Sequence, residues 1–258
     1  MIMPDYSVID QPLLLWFLFF PRNDVGPCPE NAFDIRVPVE EDVSIYCRFY
    51  GQREPLPCVL YFHGNGEVIC DYDNIAPLYN MMGVNLIVND YRGYGASGGN
   101  PTFAALISDA HALFGAVSRG LERLGIRRDL WIMGRSMGSI PALELAAAYP
   151  QEIKGLIIES GFIGATRLIK NWGLPAEGID LDSLEGECLE TVRRVQIPTL
   201  VLHGERDTLV PVEEAHYLYN NLGSERKQLV IIPEADHNDI LMVGFEEYMN
   251  SIREFMEL

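Results

Sequence analysis

Short apolar runs alternate with stretches of helical periodicity along this chain. Residues 33–39 and 43–50 read as two antiparallel strands joined by the acidic turn Glu40-Glu41-Asp42. The run 58–62 reads as a buried strand ending in His63-Gly64-Asn65-Gly66, and 85–88 as another ending in Asp90-Tyr91-Arg92-Gly93-Tyr94-Gly95. A helix is expected between them over 73–82, stopped by Gly83. From 102 to 124, residues such as Phe103, Leu106, Ile107, Ala110, Leu113 and Val117 recur on one face, which predicts a strong amphipathic helix. Further strands fall at 130–133, 155–159, 199–203 and 228–232. A helix runs from the glycine-rich turn after 133 to Tyr149, and a last one would bury Leu241, Phe245, Tyr248, Ile252 and Phe255.

Strands that alternate with amphipathic helices make βαβ units, so the expected fold is α/β: a mostly parallel central sheet with helices on both faces. The length fits a single domain over residues 1–258, large enough to bury about three quarters of its unfolded surface. One gap breaks the rhythm. Residues 161–196 lie between two strands and have room for a small lid of one or two helices.

Charge narrows the partners. The chain has 19 basic and 37 acidic residues, a formal net charge of −18, and no basic patch, which disfavours nucleic acid and anionic lipid. Five cysteines, odd in number and without a Cys-x-x-Cys pair, suit reduced thiols in a cytoplasmic setting better than a disulfide framework or a zinc site. Residues 13–20 are apolar throughout, but Asp5 and Asp10 precede them and the first basic residue is Arg22. The run lacks the basic start of a signal peptide and is too short to span a bilayer. It reads as a segment packed onto the domain, without stable membrane insertion.

The chemistry centres on Gly134-Arg135-Ser136-Met137-Gly138, placed between a strand and a helix. With 23 glycines in the chain, such a pentapeptide arises by chance in about one sequence in twelve, so context decides. A strained strand-to-helix turn holds a serine hydroxyl outward, and glycines two residues away on each side avoid collision with the neighbouring strand and helix. The partners must follow in the order serine, acid, histidine. Asp207 follows the strand at 199–203, with Glu159 as a rival acid, and His237 lies in a loop after the last strand. His63 and His203 end strands and His111 and His216 sit in helices, which suits structural roles. Two N–H donors would form the oxyanion hole, one from Met137 and one from the loop at Asn65. Tyr91 and Arg92 read as structural, the arginine tying loops through buried acids such as Asp90, and Arg135 as a salt-bridge residue with substrate-carboxylate binding as the alternative. Neither a cofactor nor a metal is called for, since the histidines lack ligand spacing.

The set His63-Gly64-Asn65-Gly66, Asp90-Tyr91-Arg92-Gly93-Tyr94-Gly95, the serine pentapeptide, His203-Gly204-x-x-Asp207 and Asp236-His237 resembles the α/β-hydrolase superfamily. More narrowly it is similar to the acyl-protein-thioesterase, depalmitoylase-like branch, whose short Phe-Pro segment Phe19-Phe20-Pro21 also resembles. The likeness covers residues 33–256 or so and implies an α/β-hydrolase fold, a Ser136-Asp207-His237 triad, and hydrolysis of a small-molecule ester or thioester through an acyl-enzyme. Two departures stand out. Glu159-Ser160-Gly161 replaces the branch's His-Ser-Pro, and no N-terminal cysteine cluster for lipid attachment is present. A peptidase on the same fold, or a non-catalytic binding protein, are the alternatives. Six acids between Glu177 and Glu190, without a Lys or Arg, would disfavour polyanionic substrates if that stretch overhangs the site.

Overall fold

A computed structural model describes residues 4–51, 56–123, 125 and 129–258. Eight strands form one sheet: β1 Ala32–Pro38, β2 Ser44–Tyr50, β3 Cys58–Phe62, β4 Asn85–Asn89, β5 Leu130–Arg135, β6 Gly155–Glu159, β7 Thr199–Gly204 and β8 Lys227–Ile232. Their order is β1-β2-β4-β3-β5-β6-β7-β8. β1 pairs antiparallel with β2, and β2 with β4; the other neighbours are parallel. This is the mostly parallel α/β sheet that the alternation of elements predicts, and it is the α/β-hydrolase fold that the resemblance implies.

Strand parity sets the two cores. In β5, Leu130 and Ile132 join the core under one set of helices, while Trp131 and Met133 join the core on the opposite face. Both faces are covered, so the central strands are buried along their whole length and read as continuous apolar runs. The first core takes α3 (Phe103–Arg123) and α4 (Ser139–Ala148), and the second takes α2 (Ala76–Met81). Leu124, the last residue of the long helix expected from periodicity, lies outside the described residues.

Several elements depart from the sequence reading. α2 starts only at Ala76, with Pro77 in its first turn, where the missing N–H costs nothing; a 3₁₀ turn at Ile69–Tyr72 precedes it. The final helix is broken at Gly244 into Ile240–Val243 and Phe245–Met256. A Cβ on Gly244 would collide with Ile232 of β8, so glycine permits the close approach. The break turns Phe245 outward, 46% exposed, and leaves Tyr248, Ile252 and Phe255 as the buried face.

The apolar run after Asp10 forms a helix, α1 (Pro12–Leu18). Asp10 accepts hydrogen bonds from the main-chain N–H groups of Phe103 and Ala104 at 2.6 and 3.0 Å, satisfying the start of α3. Leu14, Leu18 and Phe19 are buried, whereas Leu13, Trp16 and Phe20 face outward. Residues 161–196 hold α5 (Ala165–Asn171) and α6 (Leu181–Arg194). Among the described residues no helix is long and apolar enough to cross a membrane.

Candidate active site

Parallel strands deliver their carboxyl ends to one edge, and the chemistry-bearing residues gather there. β5 ends at Arg135, and Ser136 follows with φ +52°, a left-handed backbone that a serine adopts only under constraint. The flanking glycines make the turn possible. A Cβ on Gly134 would run into the Gly138 carbonyl, and one on Gly138 into the Phe62 carbonyl of β3.

His237, in the loop after β8, lies with Nε2 3.0 Å from Ser136 Oγ and Nδ1 2.7 Å from Asp207 Oδ2. All three side chains are buried. Asp207 is itself fixed: its Oδ1 accepts from the main-chain N–H groups of Leu209 and Val210 at 3.0 and 2.7 Å. With Nδ1–H donating to Asp207, the Nε2 lone pair faces the serine hydroxyl. That arrangement can accept the serine proton and stabilise the resulting imidazolium.

The rival acid is engaged elsewhere. Glu159 pairs with Arg135 Nε at 3.0 Å and accepts from the hydroxyls of Tyr61 and Tyr248. His203 donates from Nε2 to the Val210 carbonyl at 2.8 Å, and burial lowers its pKa from the ordinary 6.5, so it is a neutral structural residue beneath the Asp207 loop. His63 is buried against the Tyr91 ring, with Nδ1 2.7 Å from the Gly64 carbonyl, and shapes the turn after β3. His111 and His216 fall on α3 and on the helix Val212–Asn221, away from the serine. Asp236 accepts from Thr208 and from the His237 N–H, and so braces the histidine loop.

Met137 is the second residue of the helical turn Ser136–Gly138, beside the serine, among the first N–H groups that have no partner within a helix. Asn65 lines the same cavity, but its side chain is committed: the amide donates to the Leu18 carbonyl, and the oxygen accepts from Phe20 N–H and Tyr94 Oη. Asn65 can donate into the cavity from its main-chain N–H or from the second hydrogen of Nδ2.

The cavity above Ser136 has a volume of about 180 Å³. Its wall is mostly apolar, from Leu18 of α1 and Phe20 just beyond it, Phe103 of α3, Leu168 of α5 and Trp172 just beyond it, and Leu209, with Asn65, Arg135 and Asn238 as polar members beside the triad. No carboxylate lines it among the described residues. α6 contributes nothing to this wall, and its acids are partly paired: Lys170 binds Asp182 and Glu185, while Glu187 accepts from Asp5 N–H. The acids of this stretch therefore form no part of the cavity wall.

Arg92 also differs from its expected pairing. It binds Asp109 of α3 and Glu40 rather than Asp90, because Asp90 already accepts from Ile69 N–H and lies beside His63. Sequence reasoning missed Glu67, which joins Arg135 to the Gly64 N–H. Its partners are 68 and 3 residues away, and no local periodicity marks such a pairing.

The sequence matches the hydrolase family described as "serine aminopeptidase, S33" over residues 53–177 and 181–241. The protein YfhR of Salmonella typhimurium is 27% identical over 238 residues, spanning 86% of this chain and 80% of that one. Among solved structures, the Pyrococcus furiosus esterase Pf2001 superposes with a TM-score of 0.74 at 20% identity, over 92% of this chain and 98% of that one. Est1E from Butyrivibrio proteoclasticus, solved with ferulic acid, gives 0.68 at 19% identity over 86% and 98%. With its eight-stranded sheet and its serine turn at the end of β5, this chain is a member of that α/β-hydrolase family.

Proposed function

We propose that this protein is a serine hydrolase that cleaves carboxylic esters or thioesters of uncharged acyl groups through an acyl-enzyme. Ser136 Oγ attacks the acyl carbonyl while His237 Nε2 takes its proton, and Asp207 stabilises the imidazolium. The main-chain N–H groups of Met137 and Asn65 receive the developing oxyanion. His237 returns the proton to the departing alcohol or thiol, and a water then releases the acid by the same route in reverse. α5 serves as the cover of the acyl site, through Leu168 and Trp172.

The observation that carries the ester reading is the cavity wall. An aminopeptidase must hold the α-ammonium of its substrate, and a buried cation needs an acidic or dense acceptor partner. The wall near Ser136 is mostly apolar, its one charged member is the cation Arg135, and among the described residues it bears no carboxylate. An acyl chain fits that lining; an ammonium group does not. The Pyrococcus furiosus neighbour is itself named an esterase.

The test is a panel of p-nitrophenyl acyl esters and S-acyl thioesters beside aminoacyl p-nitroanilides, with Ser136→Ala as control. Ester and thioester turnover that depends on Ser136 is expected, with anilide turnover at least about 10²-fold lower in kcat/KM. Faster cleavage of the anilides would overturn the ester reading.

A further inference from the structure

Arg135 is the one charged residue of the serine pentapeptide, and it is buried. Its fork spends four hydrogen bonds on three separate chain segments. Nε binds Glu159 Oε1 at the end of β6. Nη1 binds Glu67 Oε1 in the loop after β3. Nη2 donates to the His237 carbonyl at 2.8 Å and to Asn238 Oδ1 at 3.1 Å in the loop after β8. Glu67 carries the contact onward: its Oε2 accepts from Gly64 N–H at 2.7 Å, one residue before Asn65, and from Tyr72 Oη at 2.7 Å.

We propose that Arg135 is a positioning residue that fixes the histidine loop and the oxyanion loop relative to the nucleophile beside it. The proposal rests on the serine-hydrolase reading above and deepens it.

Three observations support it. First, Arg135 forms part of the wall of the catalytic cavity and also of a second cavity of about 410 Å³ behind it, which is lined by Tyr61, Tyr72 and Tyr248. With open space on both sides, the two loops are held here by hydrogen bonds rather than by close packing. Second, a Cβ on Gly64 would strike the Arg135 guanidinium and Glu67, so the oxyanion loop lies directly against the fork. Third, a buried ion pair adds little stability over apolar side chains of the same volume, whereas a planar guanidinium supplies donors in fixed directions to several acceptors at once. Burial disfavours the charge, yet Glu67 and Glu159 outweigh it and keep the Arg135 pKa above its ordinary value, while Arg135 in turn holds Glu67 below the usual carboxylate range.

Arg135→Lys and Glu67→Gln separate positioning from charge balance. Lysine keeps the charge beside Glu67 and Glu159 but cannot reach acceptors on three segments. Steady-state kinetics on a p-nitrophenyl ester, with near-ultraviolet circular dichroism and thermal midpoints, are measured for both variants, wild type and Ser136→Ala. The expected result for Arg135→Lys is a native spectrum, kcat about 10²-fold lower and KM within about threefold of wild type. Glu67→Gln, which removes the charge that ties the oxyanion loop to the Arg135 fork, should lower kcat about tenfold, also with little change in KM. Should Arg135→Lys fail to fold, Glu67→Gln decides alone. Wild-type kcat in a folded Arg135→Lys, or in Glu67→Gln, overturns the proposal and leaves Arg135 as a structural ion-pair residue. If the wild type itself lacks Ser136-dependent turnover, it is the hydrolase reading that fails.

Discussion

Ser136 concentrates the physical tension of the site. Its backbone sits at φ +52°, which costs a residue with a side chain about 1–2 kcal/mol, and tight contacts at Gly134 and Gly138 enforce it. Relief of that strain should therefore be measurable apart from chemistry. Ser136→Gly and Ser136→Ala both remove the hydroxyl, but only glycine accepts the left-handed conformation freely. Urea denaturation is expected to place the glycine variant about 1 kcal/mol above the alanine variant in unfolding free energy. Equal stabilities would mean that the turn is not strained.

At this scale, much of the site was legible in the chain. The two glycines follow from what a strand-to-helix turn demands, and the order Ser136, Asp207, His237 is the one the α/β-hydrolase resemblance implies. What escaped is pairing across long sequence distances. Arg135 meets Glu159, Glu67 and His237 at separations of 24, 68 and 102 residues, and no local pattern encodes such contacts. Arg92 illustrates the same limit: its role as a tie between loops was legible, but its partners Asp109 and Glu40 were not.

Among the elements, periodicity located every strand of the sheet and the long helix α3, because burial on one or both faces writes itself into the order of apolar residues. α1 was legible only as a packed segment. Its sequence, Pro-Leu-Leu-Leu-Trp-Phe-Leu, has no polar face, so no 3.6-residue repeat shows. Leu14 and Leu18 face the core and Leu18 and the following Phe20 reach the cavity, whereas Leu13 and Trp16 on the outer side stay exposed. α5 closes the cavity opposite, through Leu168 and Trp172. Trp172→Ala removes a large side chain from the acyl wall. It should raise kcat/KM for long acyl esters relative to short ones by about tenfold, read from a chain-length series. An unchanged ratio would place the acyl chain elsewhere.

At the scale of the molecule, the sheet acts as a frame that brings the ends of β3, β5, β7 and β8 to one edge, each with a loop that carries one part of the site. The chain as a whole carries a formal net charge of −18, yet the cavity is mostly apolar and free of carboxylates among the described residues. The field disfavours anionic substrates at a distance, and the wall disfavours cations at contact. An uncharged acyl group satisfies both. The central claim is that Ser136 is an activated nucleophile in this setting, and the most direct test is labelling with a fluorophosphonate followed by mass mapping of the adduct. The account predicts one adduct per chain, on Ser136, lost in Ser136→Ala and greatly slowed in His237→Ala. A wild-type protein that is folded yet takes no label, or labels at another residue, would contradict it.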